Sequence, residues 1–144
     1  MVQLEAARAA NADLVKSKPL VAVFFGGTAG IGERAVRSLA TTHGSAGKGL
    51  RVYVVGRSQT AADKIIADCR EACPAGQFNF VQATDLSLLK DVDRVCGEIT
   101  RAEEKFAVEK SDGPARIDFL VLTQGMLSLS GRRTQIPLRG IPVP

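Results

Sequence analysis

The chain has 144 residues, 45% of them hydrophobic and 24% charged, with a formal net charge of +4. That length bounds it to one domain with room for a real core, and the composition is that of an ordinary soluble globular protein. Its apolar runs fall far short of a membrane span. The stretch Met1 to Pro19 has no secretory apolar region and carries Glu5 and Asp13 beside its basic residues, so neither a signal nor a transit peptide is indicated and a cytoplasmic location is expected.

Residues 1–19 read as an N-terminal extension. Leu20–Phe25 is a continuous apolar run and reads as a strand. The turn Gly26-Gly27-Thr28-Ala29-Gly30-Ile31-Gly32 follows it and opens a helix from Glu33, with Ile31, Ala35 and Leu39 as its expected buried stripe. His43, the only histidine, falls at the end of that helix and reads as a helix-terminal polar residue. Gly44 to Gly49 is a loop by composition. Arg51–Val55 is β-branched and reads as a strand buried on both faces. Ser58 is placed to cap a helix running to about Ala72, where Pro74-Ala75-Gly76 stops it. Phe78–Ala83 is a third strand. Ser87 then precedes Leu88, Leu89, Val92, Val95, Cys96, Ile99 and Phe106, a helical apolar stripe that Ser111-Asp112-Gly113-Pro114 breaks. Ile117–Leu122 is a fourth strand. From Leu127 the periodicity dissolves among Pro137, Pro142 and Pro144, and 127–144 reads as an irregular tail.

Strands separated by helices of this length predict right-handed crossovers and a parallel sheet. The expected fold is α/β, a Rossmann-like doubly wound parallel sheet over residues 20–126, incomplete at about four strands in the order 3-2-1-4. Arg132, Arg133 and Arg139 face no acid after Asp118. They come without a reader motif or interleaved aromatics, so a solvated tail is favoured over a nucleic-acid partner. Cys69, Cys73 and Cys96 lack further ligands at metal spacing and read as small buried hydrophobes in a reducing compartment; no metal site is expected.

The chemistry lies in the glycine turn. A buried strand, a glycine-dense loop and a helix start make a phosphate cradle, because glycine permits positive φ and close backbone approach. The helix N-terminus adds unpaired N–H groups and partial positive charge. The loop also fits Gly30-x-Gly32-x-x-Ala35, the looser dinucleotide fingerprint. The rival nucleoside-triphosphate loop would close on Lys and Ser/Thr, and here Glu33 follows Gly32. At the end of the second strand an NAD site places an acid; this chain places Arg57, with Ser58 beside it. A guanidinium favours a 2′-phosphate, so NADP is expected over NAD, unless Arg57 is only a solvated turn residue.

These motifs resemble the short-chain dehydrogenase/reductase family, most closely its fungal members. The family loop T-G-x-x-x-G-I-G maps onto Phe25–Gly32 with Phe25 in place of threonine. Gly56-Arg57-Ser58, Asp85-Leu86 and Leu122-Thr123-Gln124-Gly125 follow in order, the last where N-N-A-G is usual. The resemblance covers about Pro19 to Gly125. It implies an NADP-dependent oxidoreductase of small carbonyl or alcohol substrates, in secondary metabolism as for many fungal relatives. It also implies a cofactor site of Gly26, Gly27, Thr28, Gly30, Ile31, Gly32, Arg57, Ser58, Asp85, Leu86 and Gly125. In that site Asp85 accepts from the adenine amino group, Leu86 presents its backbone there, and Gly125 lies near the nicotinamide ribose. Read from the residues alone, Asp85 serves its turn and the next helix start, and Gly125 is a loop glycine.

The family's catalytic tyrosine requires a lysine four residues on to lower a phenol pKa near 10. The single tyrosine, Tyr53, sits in the second strand with Arg57 four later, and none follows Gly125. No catalytic residue is therefore assigned. The chain is expected to carry only the cofactor-binding part of the fold, truncated, without the family's dimer interface and with an apolar open edge at the fourth strand. The tail from about Ser128 reads as a frameshift, splice product or mispredicted exon; a Tyr-x-x-x-Lys segment in another downstream frame would support that. The alternative is a non-catalytic dinucleotide-binding or regulatory module, or an inactive product.

Overall fold

A computed structural model describes residues 3–110 and 113–125; the expected irregular tail, 127–144, lies outside the described residues. The elements in order are α1 (Leu4–Ser17), β1 (Leu20–Phe25), α2 (Gly30–His43), β2 (Leu50–Gly56), α3 (Gln59–Ala72), β3 (Gln77–Gln82), α4 (Leu89–Lys110) and β4 (Phe119–Leu122). The four strands form one sheet in the order β3-β2-β1-β4, and every pairing is parallel. The fold is α/β and Rossmann-like, as expected.

Side chains alternate across the pleat and divide the interior in two. Leu20, Ala22, Phe24, Leu50, Val52 and Val54 face one way and pack with Val36, Ala40, Ile65, Ile66 and Cys69 of α2 and α3. Val21, Val23, Phe25, Tyr53 and Val55 face the other way and pack with Val95 and Ile99 of α4. The residues read as an extension include α1, which sends Val15 into the first cluster. Because α2 and α3 cover one face and α4 the other, the winding reverses between β1 and β4. In open α/β sheets ligands bind outside the strand C-termini at such a switch point.

Several expected stripes are rotated. In α2 the buried residues are Gly32, Val36, Ala40 and His43, while Ala35 and Leu39 are half-buried at the margin of the cluster and Ile31 is 78% exposed. The helix turns Gly32 inward because only a residue without a side chain fits there. In α4 the inward line is Asp91, Val95, Ile99 and Glu103; Leu88 and Leu89 are exposed, and so is Cys96. The apolar residues adjoining that line were legible, but the two acids within it were not, since burial of a carboxylate depends on a distant partner. Cys69 and Cys73 are buried as expected, whereas Cys96 is not.

His43 does end α2, but it is also buried. Its Nε2 accepts the Gly49 N–H at 3.2 Å, so the ring proton sits on Nδ1, 3.1 Å from the Gly44 carbonyl and 3.3 Å from Cys73 Sγ. The ring fills the loop so closely that a side chain at Gly47 would overlap it. β4 is paired with β1 alone among the described residues, and Leu120 and Leu122 are exposed there.

Candidate functional site

The parallel register brings Phe25, Val55 and Leu122 level, so the turns that follow β1, β2 and β4 start at one edge of the sheet. The glycine turn is stitched to that edge. Gly26 N–H and Gly27 N–H both donate to the Val55 carbonyl, at 2.9 and 3.1 Å, and Thr123 N–H donates to the Phe25 carbonyl at 2.9 Å. Gly26 has φ 83°, a conformation that side chains rarely adopt.

Three of the glycines are there for space. A Cβ on Gly32 would overlap the Gly26 carbonyl and Thr123 Oγ1, one on Gly27 would meet Val54 Cγ1 at 2.9 Å, and one on Gly56 would overlap Thr28. Thr123 Oγ1 donates to Phe25 and Gly26 carbonyls at 3.1 and 3.3 Å, joining β4 to the turn. The family landmark was read at Thr123, but its work as a clasp on Gly26 and Gly32 was not visible in the sequence. The close packing of Thr28 on Gly56 puts the turn beside the exposed Arg57.

The α2 N-terminus opens behind this turn. Its N-cap is Ala29, which supplies no side-chain acceptor, so the first-turn N–H groups keep their capacity for an anion. Gly30 starts the helix with φ 54° and nothing within 4 Å of a notional Cβ, leaving backbone approach open. Glu33 in that first turn is drawn off by Arg37, at 3.0 Å. Arg37 also reaches Asp68 of α3 at 2.6 Å, and that hydrogen bond is the main reason its pKa is raised.

Ser58 caps α3, accepting from Ala61 N–H at 3.2 Å. After β3, Asp85 Oδ1 accepts from Ser87 N–H at 2.9 Å and Ser87 Oγ at 2.7 Å. The Ser87 bonds, with the charge of Arg57 adding to them, hold the Asp85 carboxyl below the usual range. The turn role read for Asp85 is therefore realised. Leu86 packs on the α4-side cluster. Gly125 is exposed, and a Cβ there would meet nothing within 4 Å.

The structure thus brings Gly26, Gly27, Thr28, Gly30, Ile31 and Gly32 together with Arg57 and Ser58 at the C-terminal edge of the sheet, with Asp85 and Leu86 following β3 and Gly125 following β4. Tyr53 is elsewhere. Its hydroxyl donates to Glu103 Oε1 at 2.7 Å beneath α4, and burial first, then Glu103, pushes the phenol well above its ordinary pKa. Asp91 and Arg94 were not anticipated at all. Asp91 Oδ2 accepts from Thr84 N–H at 2.6 Å and Asp85 N–H at 2.8 Å. An acid in a helix's first turn is commonplace, so its sequence signal was ambiguous.

No family model matches the chain. It is 38% identical over 134 residues to a short-chain dehydrogenase/reductase, SAT2, of Stachybotrys chartarum, covering 93% of this chain and 37% of that protein. It is 32% identical over 136 residues to an oxidoreductase of Emericella nidulans, covering 94% of this chain and 36% of that one. The chain therefore spans little more than a third of the length of these curated relatives. Among solved structures, an oxidoreductase from E. coli, YciK, superposes with TM-score 0.49 and 18% identity over 81% of this chain and 40% of that one.

Proposed function

We propose that this chain, which belongs to the short-chain dehydrogenase/reductase family, holds NADP at the C-terminal edge of its sheet as the cofactor-binding part of an oxidoreductase. The observation that carries this reading is the uncapped α2 N-terminus behind a turn in which Gly32 lies flat on Gly26. A pyrophosphate needs donors and close backbone approach, and both are built there. Gly26, Gly27, Thr28, Gly30, Ile31 and Gly32 would line the pyrophosphate, Arg57 and Ser58 the 2′-phosphate, Asp85 and Leu86 the adenine, and Gly125 the nicotinamide ribose. When bound, the cofactor supplies a hydride for exchange with a carbonyl or alcohol substrate. The exposed guanidinium of Arg57 favours NADP over NAD, although Asp85 close by offsets part of its charge.

The fungal relatives support an oxidoreductase; a role in secondary metabolism and a cytoplasmic location are the finer parts of the same reading. No helix among the described residues is long and apolar enough to cross a membrane. A second reading, a non-catalytic dinucleotide-binding or regulatory module, is favoured by one observation: the single tyrosine is engaged with Glu103 under α4 rather than set at the sheet edge.

Thermal unfolding with each dinucleotide tests the first reading. Ligand at a hundredfold over its dissociation constant adds about 2.7 kcal/mol, a rise of roughly 5–10 °C for a domain this size. NADPH is expected to stabilise more than NADH, and Arg57→Ala to bring the two together. A cooperative melt indifferent to both would overturn the proposal. Turnover of a carbonyl substrate by the purified chain would overturn the non-catalytic alternative.

A further inference from the structure

We infer that Asp91, with Arg94, is a positioning residue for the adenine end of the dinucleotide, an inference that rests on the cofactor reading above. The turn after β3 is held along consecutive backbone groups. Arg94 Nη2 donates to the Gln82 carbonyl at 2.7 Å. Ala83 N–H donates to the Gly56 carbonyl at 2.8 Å. Thr84 and Asp85 N–H groups both converge on Asp91 Oδ2. The other Asp91 oxygen is taken by Arg94, Nε at 2.9 Å. Asp91 is therefore satisfied at both oxygens and only 9% exposed.

This acid does not cap its own helix. It lies in the first turn of α4 and spends its charge on two amides of the preceding loop. Those amides belong to the residues that lead into Asp85 and Leu86. Asp85 is fixed in turn, since Oδ1 is occupied by Ser87 while Oδ2 makes no hydrogen bond among the described residues. A loop with every amide from 83 to 85 tied presents its recognition residues already ordered, so binding loses less conformational entropy. Without the carboxylate, Thr84 and Asp85 amides would lose their acceptor, and Asp85 would sample other positions before a ligand could meet it.

The test uses the whole chain and two probes, adenosine 2′,5′-bisphosphate for the adenine end and reduced nicotinamide mononucleotide for the other. Asp91→Asn keeps the shape but weakens the charge-assisted bonds to two amides and to Arg94, and is expected to lower affinity for the bisphosphate about tenfold. Affinity for the mononucleotide should stay as in the parent chain. A purely structural role would move both probes together, or neither in the folded protein. Amide signals of Thr84 and Asp85 should also shift upfield in the variant as their charged acceptor is lost. If the parent chain binds the bisphosphate and Asp91→Asn binds it equally well, the inference is overturned while the cofactor reading stands. If the parent chain does not bind it, the cofactor reading fails and takes the inference with it. Should Asp91→Asn not fold, Arg94→Gln decides, since its side chain is half exposed. About threefold weaker bisphosphate binding is expected there, from the lost bonds to the Gln82 carbonyl and to Asp91 Oδ1, and unchanged binding refutes the inference.

Discussion

On one face of the sheet, α2 and α3 lay Val36, Ala40, Ile65 and Ile66 against Leu20, Ala22, Val52 and Val54, apolar on apolar. On the other, α4 sets Val95 and Ile99 between two buried carboxylates, Asp91 and Glu103. Glu103 receives Arg51 through Nε at 2.5 Å and Nη2 at 2.6 Å, and Tyr53 through its hydroxyl. Arg51 lies 3.5 Å over the Phe106 ring of the same helix. The difference is one of direction. Hydrophobic burial is non-directional, so the first face is held by area and shape. Charge-assisted bonds have fixed geometry, so the second face fixes where α4 stops along its axis. One carboxylate pins it at the start of β2 and the other at the turn after β3, where the proposed adenine contacts begin.

The largest expected effects come from breaking each face by its own means. Glu103→Ala removes one partner of a buried ion pair and should cost about 3–5 kcal/mol in denaturant unfolding. Ile65→Ala leaves a cavity on the other face and should cost about 2–5 kcal/mol. The informative step is the gentle variant of each. Ile65→Val should cost only about 0.5–1.5 kcal/mol, scaling with the methylene removed. Glu103→Gln conserves volume yet loses the charge matched to Arg51, and should retain most of the Glu103→Ala loss. A glutamine variant as stable as the parent chain would mean α4 is held by packing around Ile99, and the contrast between the faces would collapse.

That contrast also separates what was legible in the sequence from what was not. Strand order, helix positions and the glycine turn follow from local rules: apolar runs, caps such as Ser58, and glycines whose spacing reads directly. The face of a helix was less legible. The apolar residue type of Ile31 points it into the α2 stripe, whereas the inward position belongs to Gly32, which is selected by lack of a side chain against Gly26. Asp91 and Glu103 were missed for the converse reason. Nothing near Glu103 in the chain announces Arg51 and Tyr53, which approach it only once β2 lies beneath α4. Arg57 and Asp85 stand out as candidates because they occupy fixed offsets from strand ends, while the clamp on Asp85 comes from a residue whose local pattern offers several roles.

The smaller effect is the most exact probe of the charged face. Tyr53 is the only tyrosine, in a chain without tryptophan, so its ionisation can be followed in the ultraviolet without interference. Burial, then Glu103, raises its folded-state pKa above the value near 10 of the unfolded chain. The stability it contributes is therefore fully present below about pH 10 and is lost as pH rises from there toward the folded-state value, because the unfolded chain ionises first. Tyr53→Phe should cost about 1.5–3 kcal/mol at neutral pH for the lost bond to the Glu103 carboxylate. As pH climbs past 10, the parent chain's advantage over the variant should narrow, since lysines and cysteines titrate alike in both. Tyrosinate absorbance should appear only together with unfolding. A phenol that titrates near 10 in the folded chain would show that Tyr53 and Glu103 are not joined, and the directional hold of α4 would then rest on Arg51 and Asp91 alone.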